Sequence, residues 1–412
     1  MNRILQDIGI SARLPEGPLR PYVEAYAAQL LSEGYTKASR CVKIRLVGAF
    51  SRWLGHKGTA AHEVVDEHTL HFLRHYHRGR QRRGQGDPAT LGRLMKLLRD
   101  EGVIAPRPLV VPATPSERLV GEYARYLQSE RVLSLAARIN YRPFVQEFLT
   151  FRFGKGPVVL RRLRATDIIR FVRCRAGQLH GKSAQLMTTA LRSFLRFARY
   201  RGDIALDLAA CVPAVATWSL STLPRALPAA HVKQVLEHCN RQTAIGRRDY
   251  AILLLLARLG LRSGEVAGLN LEDIDWENGL FTVVGKGGHP SQLPLPADVG
   301  RALAAYLKDG RPRLSNSRRV FLRARAPAVG FTNVAVCDVV RRALGRAGID
   351  SPRKGAHQFR HALATSMLNR GASLGEIGEI LRHQKADTTR IYAKVDLPSL
   401  RTVAMPWPGG AR

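Results

Sequence analysis

Two proline-rich interruptions constrain this chain more than any other feature of its sequence. The first runs from Ala105-Pro106-Arg107-Pro108 to Pro112 and Pro115, and the second spans Pro213 to Pro228 with Ser219, Ser221 and Thr222 between. Proline removes a backbone donor and biases the residue before it away from the helix, so neither stretch continues a helix. A chain of 412 residues exceeds one ordinary domain. The two breaks therefore divide it into three blocks: residues 1–105, 113–212 and 225–400, with 401–412 as a C-terminal tail.

The first two blocks resemble each other. A shift of 97 places Tyr26, Ala27, Leu30, Ser32 and Glu33 on Tyr123, Ala124, Leu127, Ser129 and Glu130. Near their ends a shift of 100 places Leu91, Arg99 and Gly102 on Leu191, Arg199 and Gly202. Each block runs between amphipathic helices and stops at glycine, which reads as a weak duplication of a helical bundle; chance matching of Arg/Leu/Ala-rich helices is the competing account. The last helix of the second block carries Leu191, Phe194, Leu195 and Ala198 at i, i+3, i+4, i+7, an apolar stripe for burial. Arg192, Arg196 and Arg199 follow similar spacing on an adjacent face.

The third block is mixed. An apolar helix over 250–258 stops at Gly260, and short strands follow at 273–276, 280–284 and 292–295. They are joined by the turns Glu277-Asn278-Gly279 and Gly285-Lys286-Gly287-Gly288. Helical patterns then cover 334–347, 357–370, 374–382 and 388–392. The expected fold class is mainly α with a small antiparallel sheet, an α+β third domain behind helical N-terminal domains.

Charge narrows the function. Lys and Arg total 65 against 32 acids, a formal net charge of +33. Such a chain suits a polyanion, because neutralising phosphates releases their counterions. Between 152 and 201 there are thirteen Lys or Arg and one acid, Asp167. A merely solvated face normally mixes signs, so Arg192, Arg196 and Arg199 are candidate DNA contacts. A second basic run, Arg74, Arg78, Arg80, Arg82 and Arg83, leads into glycines and fits a phosphate-touching or a solubilising loop equally. The five cysteines are scattered, without metal or redox spacing, and read as small apolar residues in a reducing cytoplasm. The first residues lack the apolar core of a signal peptide, and the most apolar run, 251–257, is too short to span a bilayer.

Four local patterns carry the candidate chemistry: GLRSGE around Arg262, the glycine-rich turn holding Lys286, HQFR from His357 to Arg360, and LRH followed by Thr388, Thr389 and Tyr392. Each alone is commonplace. Their order and spacing are not: Lys286 lies 24 after Arg262, Arg360 three after His357, His383 26 after His357, and Tyr392 nine after His383. The set resembles the tyrosine recombinase, or phage integrase, family, and fills all six positions of its signature: Arg262, Lys286, His357, Arg360, His383 and Tyr392. GLRSGEVAGL, VVGKGG, HQFRHALAT and LRHQKADTTRIYAKV match its boxes over about 225–397. There are departures. Phe359 stands where leucine is usual, Arg382 where glycine is usual, and His289-Pro290-Ser291-Gln292 where a further Lys and Arg are common.

The resemblance implies a site-specific DNA recombinase or integrase acting through a 3′-phosphotyrosyl intermediate on Tyr392, and the extra N-terminal block and total length suggest one that serves a mobile element rather than a housekeeping chromosome resolver. It implies that Arg262 and Arg360 clamp the phosphate, that His357 and His383 complete the pocket and assist proton transfer, and that Lys286 is the acid for the leaving 5′-hydroxyl. Neither metal nor other cofactor is expected. The implied partners are double-stranded DNA and further copies of the chain or related recombinases, four on two synapsed sites, in the cytoplasm at the nucleoid. Block 113–212 is the expected core-binding domain and 225–400 the catalytic domain. Glu265 is a candidate to orient a nearby arginine or, equally, a plain acid at a helix N-terminus, and Trp407 in the tail a candidate to dock on a neighbour or to cap its own domain. The rivals are a type IB topoisomerase-like relaxing enzyme and a catalytically limited DNA-binding accessory protein.

Overall fold

The computed structural model describes residues 16–78, 86–106, 114–215, 226–285, 288–313, 315–383 and 388–395. Lys286, Arg80, Arg82, Arg83 and the tail with Trp407 lie outside the described residues. The chain divides into two compact units, one made of residues 1–107 with 222–412 and the other of 108–221.

In the first unit the N-terminal bundle comprises α1 (Val23–Ser32), α2 (Lys37–His56), α3 (Asp66–Tyr76) and α4 (Asp87–Asp100). Thr36 caps α2 through the Ser39 amide at 3.3 Å, which satisfies one of the orphan donors of that helix start. Tyr26, Leu30, Val47, Phe50, Leu91 and Leu94 are fully buried in one core. The Tyr26 hydroxyl donates to the Thr90 carbonyl at 3.0 Å.

The second unit repeats that order with α5 (Pro115–Ser129), α6 (Leu135–Phe153), α7 (Ala165–Ala176) and α8 (Gly181–Tyr200). Both bundles place a short 3-10 turn, Ala61–Glu63 or Leu160–Arg162, between their second and third helices. Tyr123 and Leu127 are buried in α5 as Tyr26 and Leu30 are in α1. Thr114 and Glu117 form a reciprocal capping box at the start of α5, with Pro115 as its first residue. The Leu191, Phe194, Leu195 and Ala198 stripe of α8 is fully buried, and Tyr123 meets Phe194 edge to face.

The remainder of the first unit holds α9 (Ala229–Glu237), α10 (Ala244–Leu259), α11 (Ser263–Gly268), β1 (Ile274–Asp275), β2 (Leu280–Val284), β3 (Pro290–Pro294), α12 (Ala297–Asp309), α13 (Asn333–Arg346), α14 (His357–Leu368), α15 (Leu374–Ile380) and a 3-10 turn (Arg390–Val395). The apolar helix α10 buries Ala251 to Leu256 without a break, as a helix surrounded by protein does. The strands form an antiparallel sheet in the order β1-β2-β3. Phe281 and Val283 face the core while Val284 faces out. The expected strand at 273–276 shrinks to two residues, and the third begins at Pro290 and ends at Pro294, an edge position where missing donors are harmless.

The loop at 326–328 touches the N-terminal bundle. The Ala328 amide donates to the Glu33 carbonyl at 2.8 Å, and Ala326 packs on the bundle core. No described helix is long and apolar enough to cross a membrane.

Candidate active site

Gly260 ends α10 in the left-handed conformation, with φ +56. A Cβ there would lie 2.7 Å from Leu381 Cδ2, so both the backbone and the space demand glycine. The turn delivers Arg262 to the first position before α11. Its amide donates to Glu265 Oε2 at 2.9 Å, and its Nη1 donates to Glu265 Oε1 at 2.7 Å. Glu265 is buried and also takes Arg382 Nη2 on Oε2 at 2.9 Å. Burial pushes its carboxyl up, but the Arg262 amide and the two guanidiniums outweigh that and hold it below the usual carboxylate range. The orienting role expected of Glu265 thus has two arginines to act on.

Arg360 reaches the same place from α14. It is almost fully buried, and its Nη1 donates to the Gly260 carbonyl at 2.6 Å while its Nη2 donates to the Leu381 carbonyl. One guanidinium therefore ties the end of α10 to the turn after α15. Burial, with Arg262 and Arg382 nearby, pulls its pKa down to about 10, which leaves it charged at neutral pH. Arg262 Nη2 points to the Arg382 carbonyl at 3.4 Å. The two arginines, 98 residues apart in sequence, thus converge on the 381–382 turn.

That turn departs from the helical pattern of its sequence. Helix α15 ends at Ile380 rather than Arg382, and Arg382 is left-handed with φ +54. Glycine, expected here from the resemblance, would hold this conformation without strain. The arginine that replaces it turns its charge onto Glu265.

His383 Nδ1 lies 2.7 Å from Thr389 Oγ1, which joins the turn to the segment bearing Tyr392. Burial and the positive charges of Arg360, Arg262 and Arg382 bring the His383 pKa down to about 4. The expected helix at 388–392 is instead the 3-10 turn Arg390–Val395. Tyr392 is 1% exposed and packs with Ala364, Ile377 and Leu381. Burial raises the phenol to about 12, against the lowering charge of Arg360. Its hydroxyl is 2.9 Å from His361 Nδ1.

His361 is not singled out by the sequence pattern, although it stands four residues after His357, the helical spacing that stacks side chains. Its ring lies 6.3 Å from that of His357, which is exposed. Hence Arg262, Arg360, His383 and Tyr392 are gathered around the 381–383 turn, His357 stands at the head of α14, and Lys286 is outside the described residues. Gly285, the residue before it, is near the cluster: a Cβ there would lie 4.0 Å from Glu265 Oε1. Among the described residues no group of His, Cys, Asp or Glu is arranged to hold a metal ion.

The candidate DNA contacts lie on α8. Arg196 is exposed. Arg199 pairs with Asp207 at 3.3 Å while half exposed. Arg192 is half-buried and donates to the Val212 and Pro213 carbonyls at 2.9 and 3.2 Å, which secures the start of the second proline-rich stretch.

Residues 225–397 match the phage integrase family, and residues 120–202 match the phage integrase N-terminal SAM-like domain. A putative integrase/recombinase of Sinorhizobium fredii is 50% identical over 404 residues, covering 97% of each chain. The tyrosine recombinase XerD of Listeria monocytogenes is 27% identical over 69% of this chain and 96% of its own. Among solved structures, XerH site-specific recombinase bound to a palindromic difH substrate shares the fold with a TM-score of 0.58 at 19% identity, over 73% of this chain and 98% of that one. The Tn1549 transposon integrase bound to circular intermediate DNA has a TM-score of 0.51 at 17% identity, over 69% and 98%.

Proposed function

Since this chain belongs to the phage integrase family and is a tyrosine-type site-specific DNA recombinase, we propose that Tyr392 is its nucleophile and that Arg262 and Arg360 bind the scissile phosphate. The observation that carries the assignment is the convergence of both guanidiniums on the 381–382 turn, against which Tyr392 packs through Leu381.

A phosphodiester is anionic, and its transition state places more charge on the non-bridging oxygens. Two planar guanidiniums stabilise that charge in fixed geometry. Glu265 neutralises part of the surplus and holds Arg262, so its donors are oriented before DNA arrives. His383, tied to Thr389, and His357 at the head of α14 complete the wall of the phosphate pocket. Lys286, which follows Gly285 in the sequence, supplies the proton to the departing 5′-oxygen. The phenol oxygen bonds to phosphorus as that oxygen leaves, giving a 3′-phosphotyrosyl link and a free 5′-hydroxyl. The link conserves the phosphodiester, so the reverse attack by another 5′-hydroxyl completes exchange without a nucleotide cofactor.

Within the same reading, residues 113–212 form the core-binding domain, with Arg196 and Arg199 as its exposed phosphate contacts and Arg192 holding the linker. The working assembly is four protomers on two DNA sites, and the natural substrate is the end of a mobile element. The decisive experiment is recovery and sequencing of DNA trapped covalently on the protein in cells. Two copies of the recovered site on a plasmid should then be recombined by the purified chain. Relaxed topoisomers without exchanged segments would reject recombination in favour of a relaxing activity.

A further inference from the structure

The group in contact with the Tyr392 hydroxyl is His361, which is not one of the six signature residues. The two rings lie 5.6 Å apart at 63°, with Nδ1 and the phenolic oxygen 2.9 Å from each other. This is hydrogen-bond distance, within reach of direct proton transfer. An apolar wall of Ala364, Ile377 and Leu381 surrounds the phenol. A buried phenol beside a neutral imidazole has one satisfactory arrangement, with the hydroxyl donating to Nδ1 and the other ring nitrogen carrying its proton.

We propose that His361 is the proton acceptor for Tyr392, and that the scissile phosphate is what makes it competent. The inference rests on the assignment of Tyr392 as nucleophile. As the phenolic oxygen bonds to phosphorus, its proton passes to His361 Nδ1. The bond to the 5′-oxygen breaks, and that oxygen is protonated by the acid on the opposite side. On rejoining, the imidazolium returns the proton to the departing phenol oxygen, so no proton is gained or lost over the cycle.

The surroundings make the device conditional. His361 faces His357 and Arg360 from its own helix, Arg353 from the segment before it, Tyr392 from the 3-10 turn, and His383 from the turn after α15. None of these groups except the phenol can bring negative charge. Burial and this positive company hold the imidazole pKa near 4, while the phenol is near 12. Without DNA the proton therefore stays on oxygen and the nucleophile is dormant. A phosphodiester between the arginines cancels positive charge beside His361 and favours its protonated form. Nucleophile activation and phosphate binding become one event.

The test is single-turnover attachment of the full-length chain to a nicked duplex of its own target sequence, recovered from cells by covalent trapping, with binding measured separately. Two substrates are used: the ordinary phosphodiester, and one with sulfur at the bridging 5′ position, whose thiolate leaves without a proton. His361→Ala should attach roughly a hundredfold more slowly at neutral pH, with DNA binding changed less than about twofold. The deficit should shrink as pH rises and hydroxide replaces the missing base. The sulfur substrate should restore Lys286→Ala but not His361→Ala. His361→Asn keeps an acceptor near the Nδ1 position yet cannot take the proton, so it should also be slow; it carries the test if the alanine variant does not fold. A wild-type rate for His361→Asn, a deficit independent of pH, or rescue by sulfur would overturn the proposal. Attachment by Tyr392→Phe would instead overturn the nucleophile assignment beneath it.

Discussion

Arg382 offers a stability test in which two effects of opposite sign are separable. Its backbone is left-handed, with φ +54, a conformation that costs a non-glycine residue about 1 kcal/mol. Its guanidinium is paired with Glu265 at 2.9 Å, and the two side chains are 12% and 3% exposed. Removing one partner of a buried pair costs about 3–5 kcal/mol when the other is stranded. Glu265 is not stranded here, because Arg262 keeps its contacts with both carboxylate oxygens. The loss is accordingly nearer 2 kcal/mol. Arg382→Gly relieves the backbone and loses the pair, for a net destabilisation of about 1 kcal/mol. Arg382→Ala loses the pair and keeps the strain, for about 2 kcal/mol. Chemical denaturation of the full-length chain should rank wild type above Arg382→Gly and Arg382→Ala below both. A glycine variant about 1 kcal/mol more stable than wild type would show that the ion pair contributes nothing. Equal glycine and alanine variants would refute the backbone argument.

Two further outcomes are expected. Gly260→Ala puts a methyl 2.7 Å from Leu381 Cδ2 and 3.1 Å from Leu363 Cδ2 at a positive φ; it should cost about 2–4 kcal/mol in denaturation and slow covalent attachment, because the displaced carbonyl anchors Arg360. The depressed imidazoles of His361 and His383, both near 4, mean that the unfolded chain takes up protons below about pH 6.5 while the folded chain resists until about pH 4. Their contribution is fully present above the unfolded value and is lost as pH falls across that window, so the melting temperature should drop there, and less steeply in His361→Asn.

The spacing of Arg262, Arg360, His383 and Tyr392 is legible because each belongs to a short local word, and so is the burial of the α8 stripe, which depends only on helical period. What the sequence hides depends on where side chains end. His361 is visible at i+4 from His357, but nothing local indicates that Tyr392 folds back onto it from 31 residues away. Arg192 shares its spacing with Arg196 and Arg199, yet tertiary carbonyls at Val212 and Pro213 claim its guanidinium. Arg382 reads as helix by pattern, whereas its pairing with Glu265, 117 residues earlier, accompanies a left-handed turn. The contact between Glu33 and Ala328, which joins the N-terminal bundle to residues of the third block, is a backbone hydrogen bond and leaves no trace in residue type.

Chemical identification of the nucleophile probes the mechanism most directly. The purified chain, mixed with a nicked duplex of its target site, digested and mapped by mass spectrometry, should yield a single peptide bearing a nucleotide through its phenolic oxygen, at Tyr392. A nucleotide on any other side chain, or none on wild-type protein that binds the duplex, would contradict the mechanism at its root.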